Sequence, residues 1–81
     1  MIDAAQFKTW LEESTTYSSA VVSDTVSRLK RADSILELSE EAVYLFYLER
    51  KPEFKALSRS VKSQIRKAVK LYLTFRNVPL E

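Results

Sequence analysis

The chain has 81 residues, 46% of them hydrophobic and 30% charged, with a formal net charge of +2; this is the balance of one small globular domain. It contains no Cys and no His, which excludes a disulfide framework, thiolate metal sites and Ser-His-Asp or Cys-His chemistry. It also contains no Gly, which excludes phosphate-cradling Gly-rich loops and disfavours tight β-hairpins, so an all-α fold is expected.

Residues 4–13 read as the first helix, with Asp3 as N-cap, Gln6 completing a capping box, and Ile2 and Phe7 at the staple positions. Phe7, Trp10 and Leu11 share one face and Trp10 is expected to anchor the core. Ser14-Thr15-Thr16 ends the helix, because these side chains compete for backbone hydrogen bonds. A second helix is expected over residues 19–36, capped by Ser18, with Tyr17 and Val22 as its staple. Its buried stripe is Val22, Val26 (or Thr25), Leu29, Ala32 and Leu36, and its opposite side offers Ser23, Ser27, Arg28, Lys30 and Arg31.

The third helix is expected over residues 40–50, with Ser39 as cap and Leu38 and Val43 as staple; residues 42–48 are apolar or aromatic all round. Pro52 ends it and can open a short turn over 52–56 that carries Phe54. The last helix is expected over residues 59–76 after a Ser58 cap. Its core stripe is Val61, Ile65, Ala68 (or Val69), Tyr72 and Phe75, and Pro79 bars extension beyond Val78. Residues 1–79 thus form a single helical domain, expected to come from a longer protein, and Leu80-Glu81 resembles a vector-derived tail. No apolar run approaches the roughly 20 residues of a membrane span and no signal peptide is visible. The expectation is a cytoplasmic monomer without membrane contact or cofactor.

Charge is divided along the chain. Residues 1–49 carry four Lys/Arg against nine carboxylates, a net of −5, and residues 50–81 carry nine against two, a net of +7. Such asymmetry points to an anionic partner for the C-terminal part. Catalysis is not expected. The adjacent pairs Glu12-Glu13 and Glu40-Glu41 diverge on a helix, and Asp24, Asp33 and Glu37 fit a solvated helix face. Tyr44, Tyr47 and Tyr72 lie in apolar runs and suit packing or an interface.

On the last helix, Arg59, Lys62, Ser63, Arg66 and Lys70 recur at spacings that place them along one side for roughly 16 Å. From Phe54 to Leu80 there is no Asp or Glu, whereas a solvated surface ordinarily mixes signs. The second helix adds Arg28, Lys30 and Arg31 beside Ser23 and Ser27. Cations flanking small serines suit two helices entering a DNA groove, with Ser27, Ser63 and Gln64 at base edges. Lys62 and Arg66 are expected to be exposed. The alternative reading of both stripes is an ordinary solvated face.

The run Phe7-x-x-Trp10-Leu11, then Tyr17-Ser18, then Val26-Ser27-Arg28-Leu29, then Ser63-x-x-Arg66-Lys67-Ala68-x-x-x-Tyr72-Leu73-x-Phe75 resembles the N-terminal SAM-like, core-binding domain of tyrosine recombinases and phage integrases. The resemblance covers nearly the whole chain, and its motifs are also amphipathic-helix grammar. Val21 stands where Thr is frequent, Thr25 where an aromatic is common and Ala20 where a polar residue is frequent. The resemblance implies a compact SAM-like bundle of four or five helices. It also implies binding to double-stranded DNA, opposite a catalytic domain of the same polypeptide in a bacterial or phage protein. Carried over by position, the DNA-binding candidates are Ser19, Ser23, Ser27, Arg28 and Arg31 on the second helix. On the last helix they are Arg59, Ser60, Lys62, Ser63, Arg66, Lys67 and Lys70. Two alternatives stand beside it: a SAM-like protein-interaction module using the segment Tyr44-Leu45-Phe46-Tyr47, and an accessory DNA-binding domain of a nuclease. A contiguous exposed patch containing Tyr44 and Tyr47 would favour the first.

Overall fold

The computed structural model describes residues 4–78. Within them lie five helices and no strand: α1 (Ala4–Ser14), α2 (Ser19–Ile35), α3 (Tyr44–Leu48), α4 (Pro52–Lys55) and α5 (Arg59–Phe75). The all-α expectation holds, as a five-helix bundle. The expected Asp3 cap, the Ile2 staple position, Pro79 and the 80–81 tail lie outside the described residues.

The long helices begin and end where side-chain chemistry directs. Ser18 and Ser58 are both extended in backbone, and each hydroxyl accepts from the backbone N–H three residues on, Val21 and Val61, at 3.3 Å. Thr15 closes α1: its hydroxyl donates to the Leu11 carbonyl at 2.6 Å and accepts from the Tyr17 N–H at 3.3 Å. At the end of α5, Asn77 adopts φ 60°, the left-handed conformation that a glycine would otherwise supply. The Val78 N–H reaches the Leu73 carbonyl at 2.9 Å and the Asn77 N–H the Thr74 carbonyl at 3.0 Å, which completes a Schellman motif.

One core joins the elements. Phe7 and Leu11 of α1, Val22, Leu29 and Ala32 of α2, Tyr44 and Leu48 of α3, Phe54 of α4, and Ile65, Ala68, Val69, Tyr72 and Leu73 of α5 are buried, with Leu38 from the intervening loop. Phe7 lies at the centre of an aromatic cluster, 5.4 Å from the Tyr72 ring, 5.7 Å from Phe75 and 6.1 Å from Trp10. Trp10 is only half-buried at its rim, so Phe7 and not Trp10 is the aromatic anchor. Val26, Leu36, Val61 and Phe75, expected in the core stripes, are half-buried and pack against the core from outside.

The third helix is the main correction. It starts at Tyr44, and residues 40–43 form a bend and turn with all four side chains exposed. Ser39 does not cap it, and Val43, expected in a staple with Leu38, is exposed at the N-cap. The physical reason lies in the residues that flank this stretch: Leu38 and Tyr44 are both tied to the C-terminal part of α2, and residues 40–43 span between them. Asp33 Oδ1 accepts from the Leu38 N–H at 2.9 Å, which turns the chain and buries Leu38. The Tyr44 hydroxyl donates to the Leu36 carbonyl at 2.6 Å, shared with the Ala32 carbonyl at 3.2 Å. Burial pushes the Tyr44 phenol above its ordinary pKa, and the Asp33 carboxylate adds to the shift.

Candidate nucleic-acid interface

Helical phase decides which of the candidate side chains meet. Successive residues on a helix are about 100° apart, and α2 buries Val22, Leu29 and Ala32. Arg28 falls on the flank that faces α5, in line with Val21 and Thr25, and is half-buried rather than on the opposite side of the helix as expected. Its Nε donates to Gln64 Oε1 at 2.7 Å, a bond between α2 and α5. The two residues sit in an open cleft of about 190 Å³ lined also by Val21, Asp24, Thr25, Lys67 and Ala68.

Lys67 belongs to this cleft and to the hollow beside it, which Ser63, Arg66, Lys70, Leu71 and Thr74 complete. Its Nζ lies 5.3 Å from the centre of the Tyr17 ring, a cation–π distance that places the ammonium at the entrance to α2. Ser63, Lys67, Lys70 and Thr74 are exposed and share the outward face of α5. Arg59 and Ser60 are exposed on its first turn.

Arg66 and Lys62 depart from the expectation of exposure; both are half-buried. Arg66 lies on the flank of α5 that meets α3 and α4. Its Nε and one terminal nitrogen both reach Glu49 Oε1 at 2.6 Å, and its guanidinium carbon stands 5.5 Å from the Phe54 ring centre. That guanidinium is held by a carboxylate of its own chain. On α2, Ser27 and Arg31 are exposed on the outward side. Ser23 is five residues from Arg28 and Ser19 nine, which turns them about 140° and about 180° away from it. The structure therefore groups Arg28 with Gln64, Ser63, Lys67 and Lys70, with Arg31 about 60° round α2. Ser27, about 100° from Arg28, falls on the outward side nearer Ser23, and Ser19 and Ser23 lie further from the group.

Asp24, which reads as solvated surface from the sequence, is also a wall of the cleft. It is exposed, one turn before Arg28, on the same flank. The phase of Val21 and Thr25 relative to the buried stripe carries the signal that would have found it. The segment considered for protein contact also divides. Tyr44 is buried at 2% exposure, whereas Phe46 and Tyr47 are exposed at 54% and 55%, with Val43 beside them. The Phe46 and Tyr47 rings meet edge to face at 5.5 Å, and the Arg50 guanidinium carbon lies 4.3 Å over Phe46.

Among the described residues no group of three or more His, Cys, Asp or Glu is placed to hold a metal ion, and no helix is long and apolar enough to cross a membrane. Compared with protein-family models, curated proteins and solved structures, the chain finds no match.

Proposed function

We propose that this chain is the non-catalytic, core-binding DNA domain of a tyrosine recombinase or phage-integrase-like protein, acting in a bacterial or phage-infected cytoplasm. The observation that carries the reading is the outward face of α5, where Ser63, Lys67 and Lys70 stand together with no acid on that helix and adjoin the Arg28–Gln64 cleft between α2 and α5, whose one carboxylate is Asp24. The five-helix order and the residue pattern that resembles the integrase domain support it.

Arg31, Arg59, Lys67 and Lys70 would neutralise phosphates of double-stranded DNA and release condensed counterions, while Ser27, Ser63 and the cleft approach base edges. Arg66, tied to Glu49, would position α5 rather than touch DNA. A catalytic domain of the same polypeptide would close on the opposite side of the duplex. Alone, this domain should bind in the range of about 10⁻⁴–10⁻⁶ M. With four phosphates engaged, log K falls against log salt with a slope of about −3.6. Fluorescence anisotropy of a labelled duplex across a salt series tests this, and a slope near zero overturns it. An accessory domain of a nuclease would use the same face in the same way.

A second reading rests on Val43, Phe46 and Tyr47, whose exposed apolar surface on α3 suits a SAM-like module for protein contact. NMR shifts on adding duplex separate the two: residues 63–70 move in the first, and none of them moves in the second.

A further inference from the structure

The cleft between α2 and α5 holds an arginine whose orientation is fixed by a neutral side chain, and this constrains what it can recognise. Resting on the DNA-binding reading, we infer that Arg28, held by Gln64, reads guanine in the major groove, so that the domain prefers a G at one position of its site.

The argument starts from donors and acceptors. A guanidinium carries five N–H donors and no acceptor. The Nε donor of Arg28 is engaged by Gln64 Oε1 at 2.7 Å. The bond uses the nitrogen nearest the chain and leaves the two terminal nitrogens as a parallel fork. It also engages one of the two lone pairs of the Gln64 carbonyl oxygen and turns that oxygen toward Arg28, so the amide directs its NH₂ away from the guanidinium. A glutamine reads adenine with one acceptor for N6–H₂ and one donor for N7. Gln64 so engaged keeps one lone pair, beside the Arg28 cation, and the pair presents mainly donors: the terminal N–H groups of Arg28 and the NH₂ of Gln64. In the major groove, guanine presents two adjacent acceptors, O6 and N7, whereas adenine and cytosine each present an amino donor that needs an acceptor.

The rest of the cleft argues for a base edge over a phosphate. Asp24 stands one turn from Arg28 on the same wall, and a carboxylate there repels a phosphate. Of the α5 cations that would neutralise phosphates, Lys67 stands at the cleft's edge, shared with the neighbouring hollow, whereas Lys70 and Arg59 lie outside the cleft and are exposed. Immobilisation is the second requirement: a half-buried arginine bonded across two helices has already lost much of its rotamer freedom. Gln64 is therefore a positioning residue and Arg28 the reading one.

The test is selection of bound duplexes from a pool randomised over about two helical turns, followed by affinity ratios for duplex pairs that differ only at the enriched base pair. The intact domain is expected to enrich guanine at one position, with a ratio in the range of about 5- to 150-fold over adenine. Replacing that guanine by 7-deazaguanine, which lacks the N7 acceptor, lowers the ratio. Arg28→Met, which keeps an unbranched stem and removes every donor, brings it near 1, whereas Arg28→Lys, which can still donate to O6 or N7, and Gln64→Ala each lower it in part. A purely structural defect would weaken both duplexes of a pair and leave their ratio unchanged. Salt-dependent binding without guanine enrichment, or a ratio that survives Arg28→Met, overturns the inference while the DNA-binding reading stands. Absence of salt-dependent binding overturns both.

Discussion

Arg66 gives two nitrogens to a single oxygen of Glu49, at 2.6 Å each, and so joins the middle of α5 to the end of α3. A basic residue that lies in a cationic stripe by sequence is thereby drawn inward to a carboxylate. Both partners remain more than one-third exposed, so Arg66→Ala is expected to cost up to about 1 kcal/mol in urea unfolding. In the DNA titration it should leave the salt slope at its parent value. Arg66→Glu sets two carboxylates together and should destabilise more than the alanine variant does.

Lys67 and Lys70 define the outward face of α5. Replacing both by Ala should reduce the magnitude of the salt slope by about 1.8, from about 0.9 for each phosphate no longer neutralised. Near-unchanged thermal unfolding is expected, since neither side chain is buried. An unchanged slope would remove Lys67 and Lys70 from the interface.

Tyr44 closes the end of α2 with its hydroxyl. Tyr44→Phe leaves the Leu36 carbonyl without that donor and should cost about 1–3 kcal/mol. The pH dependence has a definite sign. The folded phenol has its pKa raised above the ordinary value of 10.0, so the protonated form is favoured in the native state. Its contribution is complete below pH 10 and is lost as pH climbs toward the higher native value. Chemical denaturation from pH 8 upward should show a steeper alkaline decline for the parent than for Tyr44→Phe.

Asn77 holds φ 60° at the C-terminus of α5. Asn77→Ala should lose about 1–2 kcal/mol, the cost of placing an ordinary Cβ in the left-handed region. Asn77→Gly should be neutral or stabilising. Equal stability of the two variants would show that the Schellman turn relaxes.

Phe7 is fully buried among Trp10, Tyr72 and Phe75. Phe7→Ala should cost about 3–5 kcal/mol, and Trp10→Ala, at the half-buried rim, should cost less. Thermal melts of the two variants rank them directly.

The long helices are legible in the sequence because each carries its own local instructions. Ser18 and Ser58 cap, Thr15 stops, and a 3.6-residue stripe identifies the buried side. The third helix starts later than its local pattern predicts because the residues on either side of 39–43 are tied to the end of α2, through Asp33–Leu38 and Tyr44–Leu36, and no local pattern encodes that demand. The site divides in the same way. Its cations can be named from the sequence, but their grouping cannot. Arg66–Glu49 spans 17 residues and Arg28–Gln64 spans 36, and those pairings decide which charges turn outward.

The contact of Phe7 and Trp10 with Phe75 also sets a schedule. During synthesis at about 5–20 residues per second, the residue that covers Phe7 is added roughly 3–14 s after it. Until Phe75 has left the ribosome, α1 can pack on α2 but its Phe7–Trp10 side lacks the rings of α5 that cover it. The core is therefore completed by α5, and a chain stalled before that point leaves the aromatic edge of α1 uncovered to chaperones and proteases.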